Sequence, residues 1–197
     1  MVHGGGFVMN NPSVDDPLAR FLADTCKCIV DKVILCGSSA GGNLVLAAGQ
    51  DSRLRQKLLG IVALYPVASL IPTAEVQMAT RPDASVPDYI GPMWNDVLDI
   101  YASTTDVAVF EGPGLVQRIP RSAVMADKLI AATASNCEKT SDGQTTGGVC
   151  WTLIQGQPHA FDHFAAKSAE KEVKRVRDRD SMYRDIAQWV KYVSGTV

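Results

Sequence analysis

A serine between two glycines is the residue of this chain best placed to do chemistry. Ser39 is the central residue of the pentapeptide Gly37–Gly41, which matches the pattern G-x-S-x-G. The apolar residues 33–35 predict a buried strand before it, and residues 44–48 predict a buried helix after it. Such a strand–turn–helix, a nucleophile elbow, lifts the serine hydroxyl out of the backbone, and the spacing selects Ser39 rather than Ser38. The stretch therefore predicts nucleophilic catalysis.

A histidine late in the chain is the candidate base for this nucleophile. His159 lies in a predicted turn, residues 156–161, after a predicted strand from Cys150 to Ile154. Its place in a loop after a strand favours general-base catalysis over a purely structural role. His163 is the competing candidate, and Asp162 beside it is expected at the surface.

The acid that would orient the histidine is less clearly marked. Residues 122–126 fit a strand with Asp127 at its carboxyl end, but residues 125–132 fit a helical spacing equally well. In the second interpretation the strand that carries the acid is absent. Asp142 is a weaker substitute because it lies in a polar loop.

Three consecutive glycines open the chain, within the sequence His3–Phe7. Such a run keeps the backbone free of side chains for a close approach. One interpretation is a flexible tail. The functional interpretation is an oxyanion loop whose N–H groups point at a developing negative charge, with a further donor from Ala40. A phosphate-binding loop is disfavoured because no Lys-Ser or Lys-Thr follows.

The elements that must position these residues can be partly predicted. Asp15, Asp16 and Pro17 predict a helix start, with an acidic cap and proline in the first turn, and the helix is expected to run to about Thr25. Residues 27–30 have a strand pattern that abuts the elbow strand without the crossover that a parallel neighbour needs. Further predicted elements are a strand at 58–65, a short helix at 93–101 and a long C-terminal helix with Val173, Val176, Tyr183, Ile186, Val190 and Val193 on one face.

Composition limits the class of protein. The 197 residues predict a single domain, and the net charge of −2 gives no reason to expect nucleic acid or an anionic membrane as a partner. The five cysteines are an odd number without C-x-x-C spacing, which favours a reducing, cytoplasmic compartment over a disulfide framework. Cys26 and Cys28 are expected to alternate in a buried strand. Neither a leader sequence nor a membrane span is predicted. Because the charge favours neither nucleic acid nor an anionic membrane, the expected partner is a small molecule.

Three sequence segments together resemble one family. HGGGF at 3–7, GSSAGGN at 37–43 and GQPHAFDHF at 156–164 resemble the hormone-sensitive-lipase-like esterases of the α/β-hydrolase fold 3 group, particularly its fungal members. The resemblance implies an α/β fold with a mostly parallel sheet flanked by helices. It also implies that the protein hydrolyses carboxylic esters, here short-chain or small aromatic ones, through a covalent acyl-enzyme.

The resemblance assigns a role to each candidate residue. Ser39 is the nucleophile, His159 moves the proton and Asp127 orients the imidazole. The oxyanion hole is formed by backbone N–H groups of Gly4, Gly5 and Ala40. No metal or organic cofactor is implied, and the oligomeric state is not indicated.

The chain also departs from the family pattern. The family carries a cap and two strands before HGGG, and further elements between HGGG and the elbow, whereas here 31 residues separate Phe7 from Ser39. The spacing from Ile119-Pro120 to Asp127 is two or three residues short of the family pattern. The expected fold is therefore a reduced hydrolase domain without the cap and first strands. Two alternative interpretations remain. The chain is an inactive hydrolase-fold remnant that at most binds a small molecule, or it is the product of an incomplete gene model.

Overall fold

The computed structural model describes residues 1–7, 9–27, 32–67, 79, 85–86, 96–97, 150 and 152–196. The described elements, in chain order, are a 3₁₀ helix Pro12–Asp15, α1 (Asp16–Cys26), β1 (Val33–Ser38), α2 (Ala40–Ala48), α3 (Ser52–Arg55), β2 (Leu58–Leu64) and α4 (Ala169–Ser194). The two strands are parallel and flanked by helices, which confirms the predicted α/β class.

Strand β1 lies between two partners. On one edge it pairs in parallel with β2, in a register that sets Ser38 opposite Leu64. Val2 forms an isolated parallel bridge with Gly37, through hydrogen bonds from the Val2 N–H to the Cys36 carbonyl at 2.8 Å and from the Ser38 N–H to the Val2 carbonyl at 3.4 Å. Because consecutive residues of a strand direct their hydrogen-bonding groups to opposite edges, the N-terminal segment lies beside the elbow strand on the edge away from β2.

Helix α1 forms where its start signals predict. Pro17 stands in the first turn, where its missing N–H costs nothing, and Leu18 is buried against the core with Phe21 and Leu22 packed beside it. Lys27 ends the helix in the left-handed conformation, with φ of 46°. The helical end is therefore at Cys26, and the predicted strand placement of Cys26 is wrong. Residues 28–31, which hold Cys28, lie outside the described residues.

Helix α4 closes the core of the described structure. Its buried face contributes Met182, Tyr183, Ile186 and Val190 to a cluster that also contains residues of α1, β1 and β2. Val173, predicted on that face, is 71% exposed, and the residues that this helix contributes to the core begin at Met182. Among the described residues no helix is both long enough and apolar enough to cross a membrane.

The last predicted strand is wrong for residues 152–154. These residues have no regular structure, and Leu153 is 62% exposed. An apolar run becomes a strand only when a neighbour pairs with its backbone, and no described residue does so here. Of the helix predicted at 93–101, only Asp96 and Val97 are described, and both are helical.

Candidate active site

Ser39 occupies a sharp turn between the end of β1 and the start of α2. Its backbone is in a left-handed conformation, φ 52° and ψ −117°, which costs energy in any residue other than glycine. A Cβ at Gly37 would lie 2.3 Å from the carbonyl oxygen of Gly41, so a side chain at that position would collide with the backbone of the turn. The glycine of the motif is thus required by the closeness of strand and helix.

Hydrogen bonds hold the backbone of Ser39 from two sides. Its N–H donates to the Leu64 carbonyl at 2.9 Å, and its carbonyl accepts from the N–H of Val67 at 3.2 Å and of Asn43 at 3.1 Å. The buried Asn43 side chain also donates to the Val67 carbonyl at 2.7 Å. The turn after β2 is therefore fixed to Ser39, and Asn43 provides one of the links.

The structure places His159 beside Ser39. The two side chains meet with His159 Nε2 and Ser39 Oγ 2.8 Å apart. If Nε2 is the unprotonated nitrogen, the serine hydroxyl donates to it, which is the geometry a general base needs. Asp127, the predicted acid, and Asp142, its weaker substitute, lie outside the described residues.

The glycine loop lies against the elbow. A Cβ on Gly4 would be 3.2 Å from Ser39 Cβ, and a Cβ on Gly41 would be 2.0 Å from the Val2 carbonyl oxygen. Gly5 has φ of 134°, a conformation that side chains rarely adopt. Ala40 is buried at the first position of α2, where a backbone N–H has no partner within the helix. The structure thus places Gly4 next to Ser39, and Ala40 follows Ser39 at the start of α2.

Ser38, the residue before Ser39, has a different partner, one that sequence reasoning missed. Its fully buried hydroxyl donates to Asp15 Oδ1 at 2.9 Å. Asp15 precedes α1 and was expected to cap it, but its side chain accepts no capping hydrogen bond and is instead buried. The helix-start pattern around Asp15 therefore predicted α1 correctly, but the Asp15 carboxylate does not act as its cap.

Asp15 also faces His163, the competing histidine. His163 Nε2 lies 3.2 Å from Asp15 Oδ1 and 3.6 Å from Asp162 Oδ2, with the His163 side chain only 8% exposed. Burial disfavours the imidazolium, but the hydrogen bond to Asp15 and the negative charges of both carboxylates outweigh it, so the pKa of His163 is raised above its ordinary value. The structure thus pairs His163 with carboxylates and His159 with the serine.

Asp162 is a second buried carboxylate, and its predicted place at the surface is wrong. It is 5% exposed, and Tyr65 donates its hydroxyl to Asp162 Oδ1 at 2.6 Å. Tyr183 donates to Oδ2 at 3.4 Å. Burial and the Asp162 charge raise the pKa of the Tyr65 hydroxyl, which keeps it a neutral donor. No local sequence pattern connects Tyr65 to a residue 97 positions away.

A buried arginine holds the histidine turn against α4. Arg175 donates from one guanidinium nitrogen to the carbonyl oxygens of Phe161 at 3.1 Å and Asp162 at 3.3 Å. Its remaining nitrogens bind Glu172 in the preceding turn of the helix, at 2.8 and 2.7 Å. The turn that carries His159 is therefore anchored by a fork of donors from a rigid element.

A strand–turn–helix with a serine at its apex, on a parallel sheet and beside a histidine, defines the class of α/β hydrolases. A family model described as alpha/beta hydrolase fold matches residues 30–163, more than half of the chain. The chain belongs to this family, the α/β-hydrolase fold 3 or hormone-sensitive-lipase-like group, which confirms the resemblance seen in the motifs. The matched range includes Ser39, Tyr65 and His159. Comparisons with curated proteins and with solved structures gave no significant match.

Proposed function

We propose that this protein is a serine hydrolase that cleaves carboxylic esters with a short acyl chain or a small aromatic group. The observation that carries the proposal is the 2.8 Å contact between Ser39 Oγ and His159 Nε2 at a strained strand–helix turn. Membership of a hydrolase family supports it independently of that contact.

The proposed reaction has two halves. In acylation, Ser39 Oγ attacks the ester carbonyl while His159 Nε2 accepts its proton, and the protonated imidazole then gives that proton to the departing alcohol. In deacylation, water gives a proton to His159 and attacks the acyl-serine. The protonated imidazole then returns that proton to Ser39 Oγ as the carboxylic acid leaves, which restores both residues. Each half passes through a tetrahedral oxyanion.

The oxyanion is proposed to accept hydrogen bonds from the N–H groups of Gly4, Gly5 and Ala40. The contact of Gly4 with the elbow supports this, as does the position of Ala40 at the positive end of α2. Each such donor is worth about 3 kcal/mol of transition-state stabilisation. Asp127 is proposed to orient His159, and removing an orienting acid lowers kcat by about 10⁴-fold.

Close packing around the glycine loop supports a preference for small substrates. Gly6 stands beside the proposed oxyanion donors, and a Cβ there would lie 2.5 Å from Val97 Cγ1. Val97 is itself buried, at 4% exposed. Among the described residues, Val97 thus fills the space directly beside Gly6, which favours a short acyl chain at this end of the loop.

The test is covalent labelling combined with turnover. A fluorophosphonate probe is expected to label the folded wild-type protein and Ser38→Ala, but not Ser39→Ala. Hydrolysis of p-nitrophenyl acetate is expected to fall to the free-imidazole background in Ser39→Ala, and wild-type activity to decline from acetate to decanoate. If the folded wild-type protein neither labels nor turns over, the proposal is wrong, and a non-enzymatic binding protein is the remaining function.

A further inference from the structure

Tyr65 contacts the histidine of the proposed site and stands in the chain between residues that hold its serine. Its chain neighbours hold the nucleophile, because the Leu64 carbonyl and the Val67 N–H bind the backbone of Ser39 at 2.9 and 3.2 Å. Its ring meets the imidazole of His159 edge-on, with centroids 4.9 Å apart and planes inclined at 63°. Any movement of Tyr65 therefore changes the position of His159 relative to Ser39.

The orientation of the Tyr65 ring is fixed at its far end. The hydroxyl donates to Asp162 at 2.6 Å and lies 3.4 Å from His163 Nε2. Both partners belong to the same turn as His159, and that turn is itself held by Arg175. The ring is thus clamped between the imidazole on its edge and two polar side chains at its hydroxyl.

The backbone of Tyr65 is also strained. Its φ is 34°, in the left-handed region that costs a residue with a Cβ about 1–2 kcal/mol. Glycine or asparagine occupies such a position more readily, so stabilising contacts of the tyrosine side chain must offset this cost. The contacts with His159 and Asp162 supply that contribution.

We infer that Tyr65 is a positioning residue, which sets the distance and angle between His159 and Ser39 through its ring. The expected change in kcat rests on the proposed function, whereas the placement of the His159 ring by Tyr65 does not. We expect truncation of the side chain to lower kcat, because the base is misplaced, and to leave KM nearly unchanged, because substrate binding is not altered.

Two substitutions separate the roles of the ring and the hydroxyl. Tyr65→Leu removes the ring while leaving a side chain with a similar cost in the left-handed conformation, and kcat for p-nitrophenyl acetate is expected to fall by about 100-fold, the effect of misplacing a catalytic group by about 1 Å. Tyr65→Phe keeps the ring but frees it from Asp162, and a fall of about 10-fold is expected. Tyr192→Leu, at a 50% exposed tyrosine of α4, is the matched control and should keep the wild-type kcat.

A second measurement does not depend on turnover. Nuclear magnetic resonance of the His159 ring protons reports the Tyr65 ring directly, since a nearby aromatic edge shifts these signals. In Tyr65→Leu the shift should be lost, whereas Tyr192→Leu should retain it. Thermal unfolding of each variant establishes that it is folded, and Tyr65→Phe decides the question if Tyr65→Leu is not.

The outcomes distinguish this inference from the proposed function. If the wild-type protein is inactive but its His159 signals move in Tyr65→Leu, the proposed function is wrong and the positioning contact is supported. An active protein in which kcat stays within about two-fold of wild type in both Tyr65 variants overturns the inference. A loss confined to KM also overturns it, since it would place Tyr65 in substrate binding.

Discussion

The hydroxyl of Ser38 donates to the carboxylate of Asp15 across 2.9 Å, while the hydroxyl of its neighbour Ser39 lies 2.8 Å from His159 Nε2. Two buried serines in succession therefore have different partners, one a carboxylate and the other an imidazole. The first prediction concerns this pair. Ser38→Ala should lower the free energy of unfolding by about 1–3 kcal/mol, because a buried carboxylate loses a donor. Chemical denaturation measures this loss.

Two other serine variants, Ser39→Ala and Ser13→Ala, serve as comparisons for Ser38→Ala. Ser38→Ala should still react with a fluorophosphonate at residue 39, whereas Ser39→Ala should not react. Ser13, which is exposed and whose hydroxyl donates to Asn11 Oδ1 two residues away, offers a serine-to-alanine control with little effect on unfolding. Equal unfolding free energies for Ser38→Ala and Ser13→Ala would contradict the prediction.

The second prediction is that part of the stability depends on protonation of His163. The folded protein raises the pKa of this group above its ordinary value of 6.5, so the folded state binds more protons than the unfolded state above that pH. Its stabilisation is therefore complete below pH 6.5 and is lost as the pH rises through the raised pKa. Urea unfolding across this range should give a free energy that falls with increasing pH.

A variant isolates the contribution of His163. His163→Gln keeps a hydrogen-bond donor towards Asp15 but cannot titrate, so the decline in unfolding free energy above pH 6.5 should be smaller than in the wild type. His3→Gln, at a histidine that contacts the carbonyl of Gly4 rather than a carboxylate, should leave the decline in place. An unchanged decline in His163→Gln would show that another group is responsible.

The third prediction is that Arg175 keeps the histidine turn in place. Arg175→Met removes the donors to two carbonyls of that turn and should lower the free energy of unfolding by about 1.5–3 kcal/mol. Arg175→Lys should restore little, because one ammonium cannot reproduce the fork of a guanidinium. Arg177→Met is the control on the same helix, since the Arg177 side chain is 72% exposed. Denaturation, together with the rate of fluorophosphonate labelling, tests the three variants.

The fourth prediction concerns Gly41. A glycine inside a helix is usually less stable than alanine, by about 0.5–1 kcal/mol, so Gly41→Ala would stabilise an isolated helix. Here the new Cβ would lie 2.0 Å from the Val2 carbonyl oxygen, and the N-terminal segment would have to move. We expect Gly41→Ala to lower both the melting temperature and the rate of ester hydrolysis. Gly156→Ala, whose Cβ would meet, among the described residues, only the Lys174 ammonium at 4.0 Å, should lower stability slightly and leave hydrolysis intact.

The sequence predicted those features whose signals are local. The apolar runs at 33–35 and 58–65 predicted β1 and β2, and Pro17 predicted the start of α1, because each pattern is read within a few residues of the element it forms. The elbow was found for the same reason. The strand prediction for residues 152–154 was wrong because an apolar segment does not itself indicate whether a strand is available to pair with it.

The parts of the site that could not be predicted depend on tertiary contacts. Asp15 meets Ser38 from 23 residues away, and Tyr65 meets Asp162 from 97 residues away. Neither spacing follows from a helical or strand period, and the local pattern at Asp15 suggested a different role. Only packing of α1, the end of β2 and the histidine turn around one core brings these polar groups together.

The distance along the chain between Ser39 and His159 bears on when the proposed site is complete. The elbow and the turn that holds its backbone lie within residues 37–67, whereas His159 follows Ser39 by 120 residues. Local contacts form faster than distant ones, and synthesis proceeds from the N-terminus. We therefore expect a nascent chain to fold its serine turn first and to carry an unactivated nucleophile until α4 and the histidine turn dock. Reactivity would then mark the completion of folding.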